Sequence, residues 1–167
     1  MITKHFGQRV GVFIDVQNLY HSAKNLHNSK VNFGKILDLA VSNRNLVRAF
    51  AYVVRTKTGE EKFFFDALTK IGIETRVKDL QEFYGGVKKG DWDVGLAIDA
   101  IRTSNNLDAV VIVSGDGDFV PLVEYLKNQG KRVEIIAFGK SSSHSLIEVA
   151  DEFTDLGKNY KKFLLKK

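Results

Sequence analysis

Residues 109–119 read AVVIVSGDGDF, an apolar run of strand length followed by two aspartates interleaved with glycines. The first five residues of this stretch are too apolar to face water on either side. Such a run is typical of a parallel strand that is covered on both faces. The stretch therefore predicts a central strand of an α/β sheet, with Asp116 and Asp118 just beyond its carboxyl end.

Apolar segments of strand length alternate with segments of helical period along the whole chain. The predicted strands are residues 10–16, 46–54, 73–77, 109–113 and 133–138. The predicted helices are residues 33–41, 60–71, 92–103, a segment that begins near Pro121, and 145–150. Residues 79–90 are expected to form a loop. The alternation predicts one three-layer, doubly wound, mostly parallel sheet with helices on both faces.

The composition is that of one ordinary globular domain. The chain has 167 residues, 44% of them hydrophobic, and no Cys, which excludes disulfides, thiolate metal sites and a cysteine nucleophile. The longest apolar runs are far shorter than the roughly 18 residues that a membrane span needs. Residues 1–5 lead into no apolar targeting segment. We therefore expect a cytoplasmic protein without a membrane partner.

The positive net charge of +5 is concentrated at the C-terminus. Five of the 25 basic residues and none of the 20 acids lie in residues 158–167, so residues 1–157 are neutral overall. We expect a domain over residues 1–157 and a basic tail over residues 158–167. The tail would attract a polyanion, or form a solvated helix whose Tyr160, Phe163 and Leu164 pack against the domain.

Acidic residues stand at three points that the predicted fold brings to one edge of the sheet. Asp15 ends the first strand, Asp116 and Asp118 follow the fourth strand, and Asp93 lies at the head of the third helix. In doubly wound sheets, ligands bind outside the carboxyl ends of the strands where the winding reverses. Clustered carboxylates repel one another unless some are protonated or bind a cation. Oxygen ligands without Cys suit Mg²⁺ or Mn²⁺, so the pattern predicts a metal or phosphate site.

Each of these acids also has a structural interpretation. Asp15 would be a turn residue at the end of its strand. Asp116 would form an Asx turn among the glycines, and Asp118 would cap the helix that contains Pro121. Either Asp91 or Asp93 would cap the third helix. The joint occurrence of three acidic segments at one edge favours the functional interpretation.

Three motifs stand in order along the chain: VFIDVQN at residues 12–18, KGDWDVGLAID at 89–99 and SGDGDF at 114–119. Together with residues 147–156, they resemble an NYN domain, of the LabA-like branch of the PIN-like nuclease superfamily. The resemblance covers about residues 8–157. It implies a PIN-like fold with strand order 3-2-1-4-5 and a divalent-metal-dependent ribonuclease.

The resemblance also implies roles for individual residues. The family's acidic positions, which would hold Mg²⁺ or Mn²⁺ and act in catalysis, correspond to Asp15, Asp93, Asp116 and Asp118. Asn18 and Ser114 match polar positions that would orient a carboxylate, a water or a phosphate oxygen of the substrate. Asp91 is an additional acid where many relatives have an apolar residue, and Asp93 is favoured as the one that points inward.

Basic residues near the same edge are candidates for holding RNA phosphates. Arg55 and Lys57 follow the second strand, and Lys88 and Lys89 precede Asp93. They would position a single-stranded RNA without reading its sequence, or they would form solvated loops. Lys89 is favoured because the family motif covers it.

Three further features each have two interpretations. Asp99 lies about 240° from Asp93 round an ideal helix, with Arg102 at i+3, which favours a structural role, whereas the family often has an acid at this position. Residues 63–65 are three phenylalanines that cannot all face one side of a helix. They are interpreted as core residues; in the alternative interpretation, one of them is exposed and stacks on bases or contributes to a homodimer interface. His144 is either an ordinary loop residue or a general base, and the first interpretation is favoured because the sequence indicates no partner for it.

Two main classes of function follow. The first is a metal-dependent RNA endonuclease that hydrolyses phosphodiester bonds with an activated water. The second is a non-catalytic regulatory domain that binds RNA or protein on a nuclease-like fold. Concentrated negative charge facing RNA argues against the second class. A phosphohydrolase of the haloacid dehalogenase type is disfavoured because Asp15 is followed by Val16 and Gln17 rather than by a second acid two residues on.

Overall fold

The central sheet has six strands, and all of its neighbouring strands are parallel. The structure, a computed structural model, describes residues 2–55, 61–83, 87–89 and 91–166, with the side chains of 81–83 and 87–89 excepted. In the order in which they lie side by side, the strands are β3 (Glu74–Asp79), β2 (Asn45–Arg55), β1 (Arg9–Asp15), β6 (Ala109–Val113), β7 (Arg132–Ala137) and β8 (Glu152–Asp155). A separate antiparallel pair is formed by β4 (Gln81–Phe83) and β5 (Val87–Lys89).

Helices cover both faces of this sheet. One face carries α1 (Val16–His27), α2 (Phe33–Val41), α3 (Lys62–Lys70) and the short α7 (Tyr160–Phe163). The other face carries α4 (Asp93–Thr103), α5 (Val120–Asn128) and α6 (His144–Val149). Neighbouring residues of β1 serve the two layers in turn, since Val12 and Ile14 pack on the first side and Phe13 on the second. The predicted three-layer, doubly wound α/β architecture is confirmed.

The predicted strand order 3-2-1-4-5 is confirmed, with β6 and β7 as the fourth and fifth strands of the sheet. The strand β8 adds a sixth beside β7. All five residues of β6 are buried, as their apolar character predicts, and α2 has the predicted bounds. The helix α1 and the strand β8 were not predicted. The strands β4 and β5 were also missed, and they occupy part of the segment that was wrongly expected to be only a loop.

The winding of the sheet reverses between β1 and β6. From β1 the chain continues through α1 and α2 to β2 on one side. From β6 it continues through α5 to β7 on the other side. A crevice therefore opens at the carboxyl ends of β1 and β6, where Asp15 is the last residue of one strand and Ser114 directly follows the other.

The opposite, amino edge of the sheet is closed by a buried ion network. Arg44 donates to both carboxylate oxygens of Glu134, at 2.7 and 2.9 Å, and Arg132 donates to Glu134 at 2.9 Å and to Glu152 at 2.6 Å. Burial opposes the ionisation of Glu134, but the hydrogen bonds from Arg44 and Arg132 outweigh it and hold its pKa below the ordinary value. This network fixes β7 against β8 and the end of α2.

The last residues pack against the first helical layer. Phe163 and Leu164 are buried, Leu164 forms a β-bridge with Val31, and the ring of Tyr160 stacks on His27 at 4.2 Å. The lysines from Lys158 onwards that the structure describes are exposed. Among the described residues, no helix has the length and apolar character that crossing a bilayer requires.

Candidate metal centre

Three carboxylates gather at the crevice between β1 and β6. Asp15, Asp93 and Asp116 each offer an oxygen, and these oxygens lie within 4.8 Å of one another. All three side chains are partly buried. Oxygens that ligate one divalent cation at about 2.0–2.6 Å stand at most about 4–5 Å apart, so this donor set fits Mg²⁺ or Mn²⁺. The chain's three acidic segments therefore meet in space as their positions at strand and helix ends predicted.

Asp15 is held by two hydrogen bonds before any ligand arrives. One oxygen, Oδ1, accepts from the backbone N–H of Asn18 at 3.2 Å and caps α1, and the other, Oδ2, accepts from the hydroxyl of Ser114 at 2.9 Å. Burial raises the pKa of Asp15, although the bonds from Asn18 and Ser114 act in the opposite direction. The carboxylate is thus fixed in position before a cation binds.

The loop after β6 is fixed by the polar residues that the motif contains. The hydroxyl of Ser114, which is fully buried, also accepts from the backbone N–H of Asp116 at 3.1 Å. The side-chain oxygen of Asn18 accepts from the backbone N–H of Gly115 at 2.9 Å. Ser114 and Asn18 therefore orient Asp15 and the loop. Their direct contact with substrate stays a prediction.

The glycine at position 115 is needed because a neighbouring loop lies directly against it. A Cβ at Gly115 would stand 3.0 Å from the backbone Cα of Ser142. The carbonyl of Gly115 also accepts from the N–H of Ser143 at 2.9 Å. Asp116 forms the Asx turn that its glycine neighbours predicted, since its Oδ1 accepts from the N–H of Asp118 at 2.9 Å. The same side chain thus shapes the turn and contributes to the carboxylate group.

Asp93 reaches the crevice from the first residue of α4. The preceding Trp92 anchors this helix end, because its indole N–H donates to the carbonyl of Val53 at 3.0 Å and its ring lies where a Cβ of Gly95 would stand. Burial and the neighbouring Asp116 and Asp15 raise the pKa of Asp93 to about 7. Without a cation, the group therefore retains a proton near neutral pH.

Two other predicted acids lie outside the group. Asp118 is exposed, and among the described side chains it does not join the three that meet. Asp91 is exposed as well, and its Oδ1 accepts from the backbone N–H of Asp93 at 3.4 Å. Of the two acids at the head of α4, the structure brings Asp93 into the group. The ligand role of Asp118 stays a prediction.

Asp99 faces a different part of the molecule. Its Oδ2 accepts from the hydroxyl of Tyr52 at 2.9 Å and from Arg76 at 3.3 Å, and Arg102 stands 3.8 Å from its Oδ1. These contacts tie α4 to β2 and β3. They agree with a structural role, and no sequence signal singled out Tyr52 or Arg76.

The predicted phosphate-binding residues are placed only in part. Arg55 ends β2 at the carboxyl edge, is half-exposed and forms an ion pair with Asp79 at 2.8 Å. The backbone of Lys88 and Lys89 belongs to β5, but their side chains lie outside the described residues, as does the whole of Lys57. The substrate role of Arg55 and Lys89 stays a prediction.

The phenylalanine run divides between the core and the surface. Phe64 and Phe65 pack against the core of the first helical layer, whereas Phe63 is 87% exposed. His144 is exposed at the start of α6 and pairs with Glu148 at 3.0 Å. These positions agree with the core interpretation for two of the three rings and with an ordinary role for His144.

The family model of the NYN domain matches residues 9–157, nearly the whole chain. The chain belongs to the NYN domain family. This family lies within the PIN-like nuclease superfamily, and the parallel sheet described above is consistent with a PIN-like fold. The resemblance that the three motifs carry is thereby confirmed.

Similarity to other proteins extends over most of this chain. "Low amplitude and bright protein LabA" of Synechococcus elongatus is 26% identical over 157 residues, which cover 89% of this chain and 83% of LabA. An uncharacterized protein of Methanocaldococcus jannaschii is 25% identical over 154 residues, 91% of this chain and 57% of that protein. A crystal structure of a protein of unknown function from Vibrio parahaemolyticus aligns with a TM-score of 0.87 and 30% identity, over 98% of this chain and all of that one.

Proposed function

We propose that this NYN domain is a ribonuclease that hydrolyses phosphodiester bonds of single-stranded RNA with the help of one or two Mg²⁺ or Mn²⁺ ions. The observation that carries the proposal is the meeting of Asp15, Asp93 and Asp116 at the crevice, within the reach of one cation. Membership of the PIN-like nuclease superfamily supports the same chemistry.

The chain's own residues would prepare the site for this reaction. Ser114 and the N–H of Asn18 fix the Asp15 carboxylate, and the Asx turn of Asp116 fixes the second one. Asp93, with its raised pKa, retains a proton that a bound cation would displace. A bound Mg²⁺ or Mn²⁺ supplies an acidified water and neutralises charge on the phosphoryl group.

In the proposed hydrolysis, the oxygen of water forms a bond to phosphorus while the bond from phosphorus to the 3′ oxygen breaks. The departing 3′ oxygen takes up a proton, so the products carry a 5′ phosphate and a 3′ hydroxyl. Asp118 and Asn18 lie next to this site along the chain and are proposed to assist ligand and substrate binding. Arg55 and Lys89 are proposed to hold phosphates of the strand.

The test is cleavage of an end-labelled single-stranded RNA in Mn²⁺, in EDTA, and in Mn²⁺ by an Asp116→Asn variant. Cleavage is expected only for the wild-type protein with Mn²⁺. Asp66→Asn is the matched control, because Asp66 is an exposed acid on α3 in the opposite layer, and it is expected to cleave normally. Equal cleavage in all samples would contradict the proposal. RNA binding without turnover would instead indicate the regulatory domain.

A further inference from the structure

Basic side chains lie on the α4 side of strands β2 and β3, from the head of α4 to its last turn. Alternate residues of a strand share one face, and on this face β3 presents Arg76 and Lys78 while β2 presents Arg48. The end of α4 adds Arg102. We call Lys78, Arg76, Arg48 and Arg102 together the basic groove.

One end of the basic groove lies at the head of α4. The ammonium group of Lys78 donates a hydrogen bond to the carbonyl of Asp91 at 3.2 Å. Its Nζ lies 5.4 Å from the centre of the Trp92 ring. Asp93, which belongs to the carboxylate group, is the next residue along the chain. The groove therefore begins beside the proposed reaction site.

The other end of the groove is a cavity of about 240 Å³. Its polar lining consists of Arg48, Arg76, Asp99, Arg102, Thr103 and Asn106. Along α4, this end is six to nine residues from Asp93, or about 9–14 Å at the rise of an α-helix. A polymer bound at the carboxylate group would have to extend over this distance to fill it.

The two arginines on the strands are held in place by an aromatic ring. The guanidinium carbons of Arg48 and Arg76 lie 4.4 and 5.0 Å from the centre of the buried Phe50 ring. Arg48 is also held by two hydrogen bonds to Glu74, at 2.9 and 2.8 Å. Because stacking and ion pairing fix these side chains, little conformational entropy is lost when they bind a ligand.

The cavity end of the basic groove has a surplus of cations. There, Arg48, Arg76 and Arg102 form ion pairs with two carboxylates, those of Glu74 and Asp99. Arg102 is 73% exposed, and its ion pair with Asp99 is long, at 3.8 Å. A guanidinium has five N–H donors, so most of those on Arg102 are available for another acceptor. A phosphate group is the acceptor that suits such a set of arginines.

The size of the cavity favours a phosphate that is part of a polymer. Its volume of about 240 Å³ is smaller than the roughly 300–1,000 Å³ of sites that enclose a whole small-molecule ligand. Arg76 lines the cavity, and Lys78 on the same face of β3 contacts the head of α4 beside Asp93. An extended ligand at the carboxylate group would therefore meet both of these cations. We propose that the basic groove binds the backbone of the RNA strand on one side of the cleaved bond, with a phosphate seated among Arg48, Arg76 and Arg102. The identity of this ligand rests on the proposed ribonuclease function.

The test is the affinity for a labelled single-stranded RNA of about twelve nucleotides, measured by fluorescence anisotropy in EDTA. All proteins carry Asp116→Asn, so that no cleavage occurs. Arg102→Glu is expected to weaken binding about tenfold, and Arg102→Lys is expected to keep most of the affinity. Lys35→Glu is the matched control, since it makes the same charge change at an exposed site on α2, in the opposite layer. It is expected to weaken binding no more than about twofold.

Two further measurements separate a groove contact from a general effect of charge. The slope of log affinity against log salt is expected to become shallower by about 0.7 for each phosphate contact that Arg102→Glu removes. The difference between Arg102→Glu and Lys35→Glu is expected to disappear for a dinucleotide, which cannot reach from Asp93 to the cavity. Thermal unfolding of both variants checks that the fold is intact.

The outcomes distinguish this inference from the proposed function. If wild-type protein cleaves RNA but Arg102→Glu and Lys35→Glu bind the long RNA equally well, the groove inference is overturned and the nuclease stands. The other outcome is that wild-type protein cleaves no RNA, while Arg102→Glu, unlike Lys35→Glu, binds the long RNA more weakly and with a shallower salt slope. In that case the nuclease proposal fails and the groove stands. Competition by inorganic phosphate as effective as competition by the long RNA would overturn the groove as a polymer site.

Discussion

Replacing Asp93 by Asn should stabilise the metal-free protein, and the gain should depend on pH. Asp93 lies with Asp15 and Asp116 in a partly buried group, and burial together with these neighbours raises its pKa from 3.8 to about 7. A carboxyl with a raised pKa binds more protons in the folded state than in the unfolded state between these two values. The free energy of unfolding therefore falls as pH rises through this window. The destabilisation by the ionised Asp93 is complete above about pH 7.

The magnitude follows from the shift, reduced for the partial exposure of Asp93. About three pKa units correspond to roughly 4 kcal/mol without solvent screening. Because the side chain is only partly buried, we expect Asp93→Asn to gain about 1–2 kcal/mol at pH 8 and a smaller amount at pH 5. Urea unfolding in EDTA at both pH values measures these differences.

The matched control for this experiment is Asp91→Asn. Asp91 lies two residues away at the same helix end, but it is exposed and outside the group. Its replacement should change the free energy of unfolding by less than about 0.5 kcal/mol at either pH. Equal effects of the two substitutions, or a gain from Asp93→Asn that is the same at pH 5 and pH 8, would refute the reasoning.

Three more predictions concern the ion network, the loop and the cation. Arg44→Met leaves the buried Glu134 without its main partner. It should lower the free energy of unfolding in urea by about 3–5 kcal/mol. A decrease of less than about 1 kcal/mol would contradict the stabilising role of the network. Gly115→Ala forces the loop away from the backbone of Ser142 and should destabilise the protein by about 1–3 kcal/mol, whereas an unchanged melting temperature would show that the loop has room. The affinity for Mn²⁺ in calorimetry should rise with pH up to about 7 and then level off, because the proton on Asp93 must leave; an affinity that does not vary with pH would oppose this.

The sheet and its carboxyl edge could be predicted because their signals are local. The apolar run of β6 and the helical period of α2 are each complete within one segment of the sequence. Asp15 and Asp116 follow directly from the ends of such strands, and parallel strands bring their carboxyl ends to one edge. The meeting of these acids therefore needed no knowledge of packing.

The missed elements have weak local signals. Along α1 the buried residues are Val16, Leu19, Ser22 and Ala23, so its inward face mixes apolar with small and polar side chains, and the helix as a whole has few apolar residues. Asp15 caps this helix while it also faces the crevice, so the two interpretations of this residue hold at once. The edge strand β8 has four residues, all partly exposed, two of them acidic.

Other features depend on contacts between distant segments. The anchoring of Trp92 on Val53, and the tie from Asp99 to Tyr52 and Arg76, become visible only when α4 is packed on the sheet. The basic groove is assembled in the same way, from two strands and one helix. No spacing in the sequence predicts it.

The most direct measurement of the central claim is the position of Mn²⁺ in crystals soaked with this ion, located by its anomalous scattering. The account predicts a peak within about 2.0–2.6 Å of carboxylate oxygens of Asp15, Asp93 and Asp116. It also predicts that the peak is lost in Asp116→Asn. A peak bound elsewhere, or an empty crevice at saturating Mn²⁺, would contradict the claim that these three side chains form the metal centre.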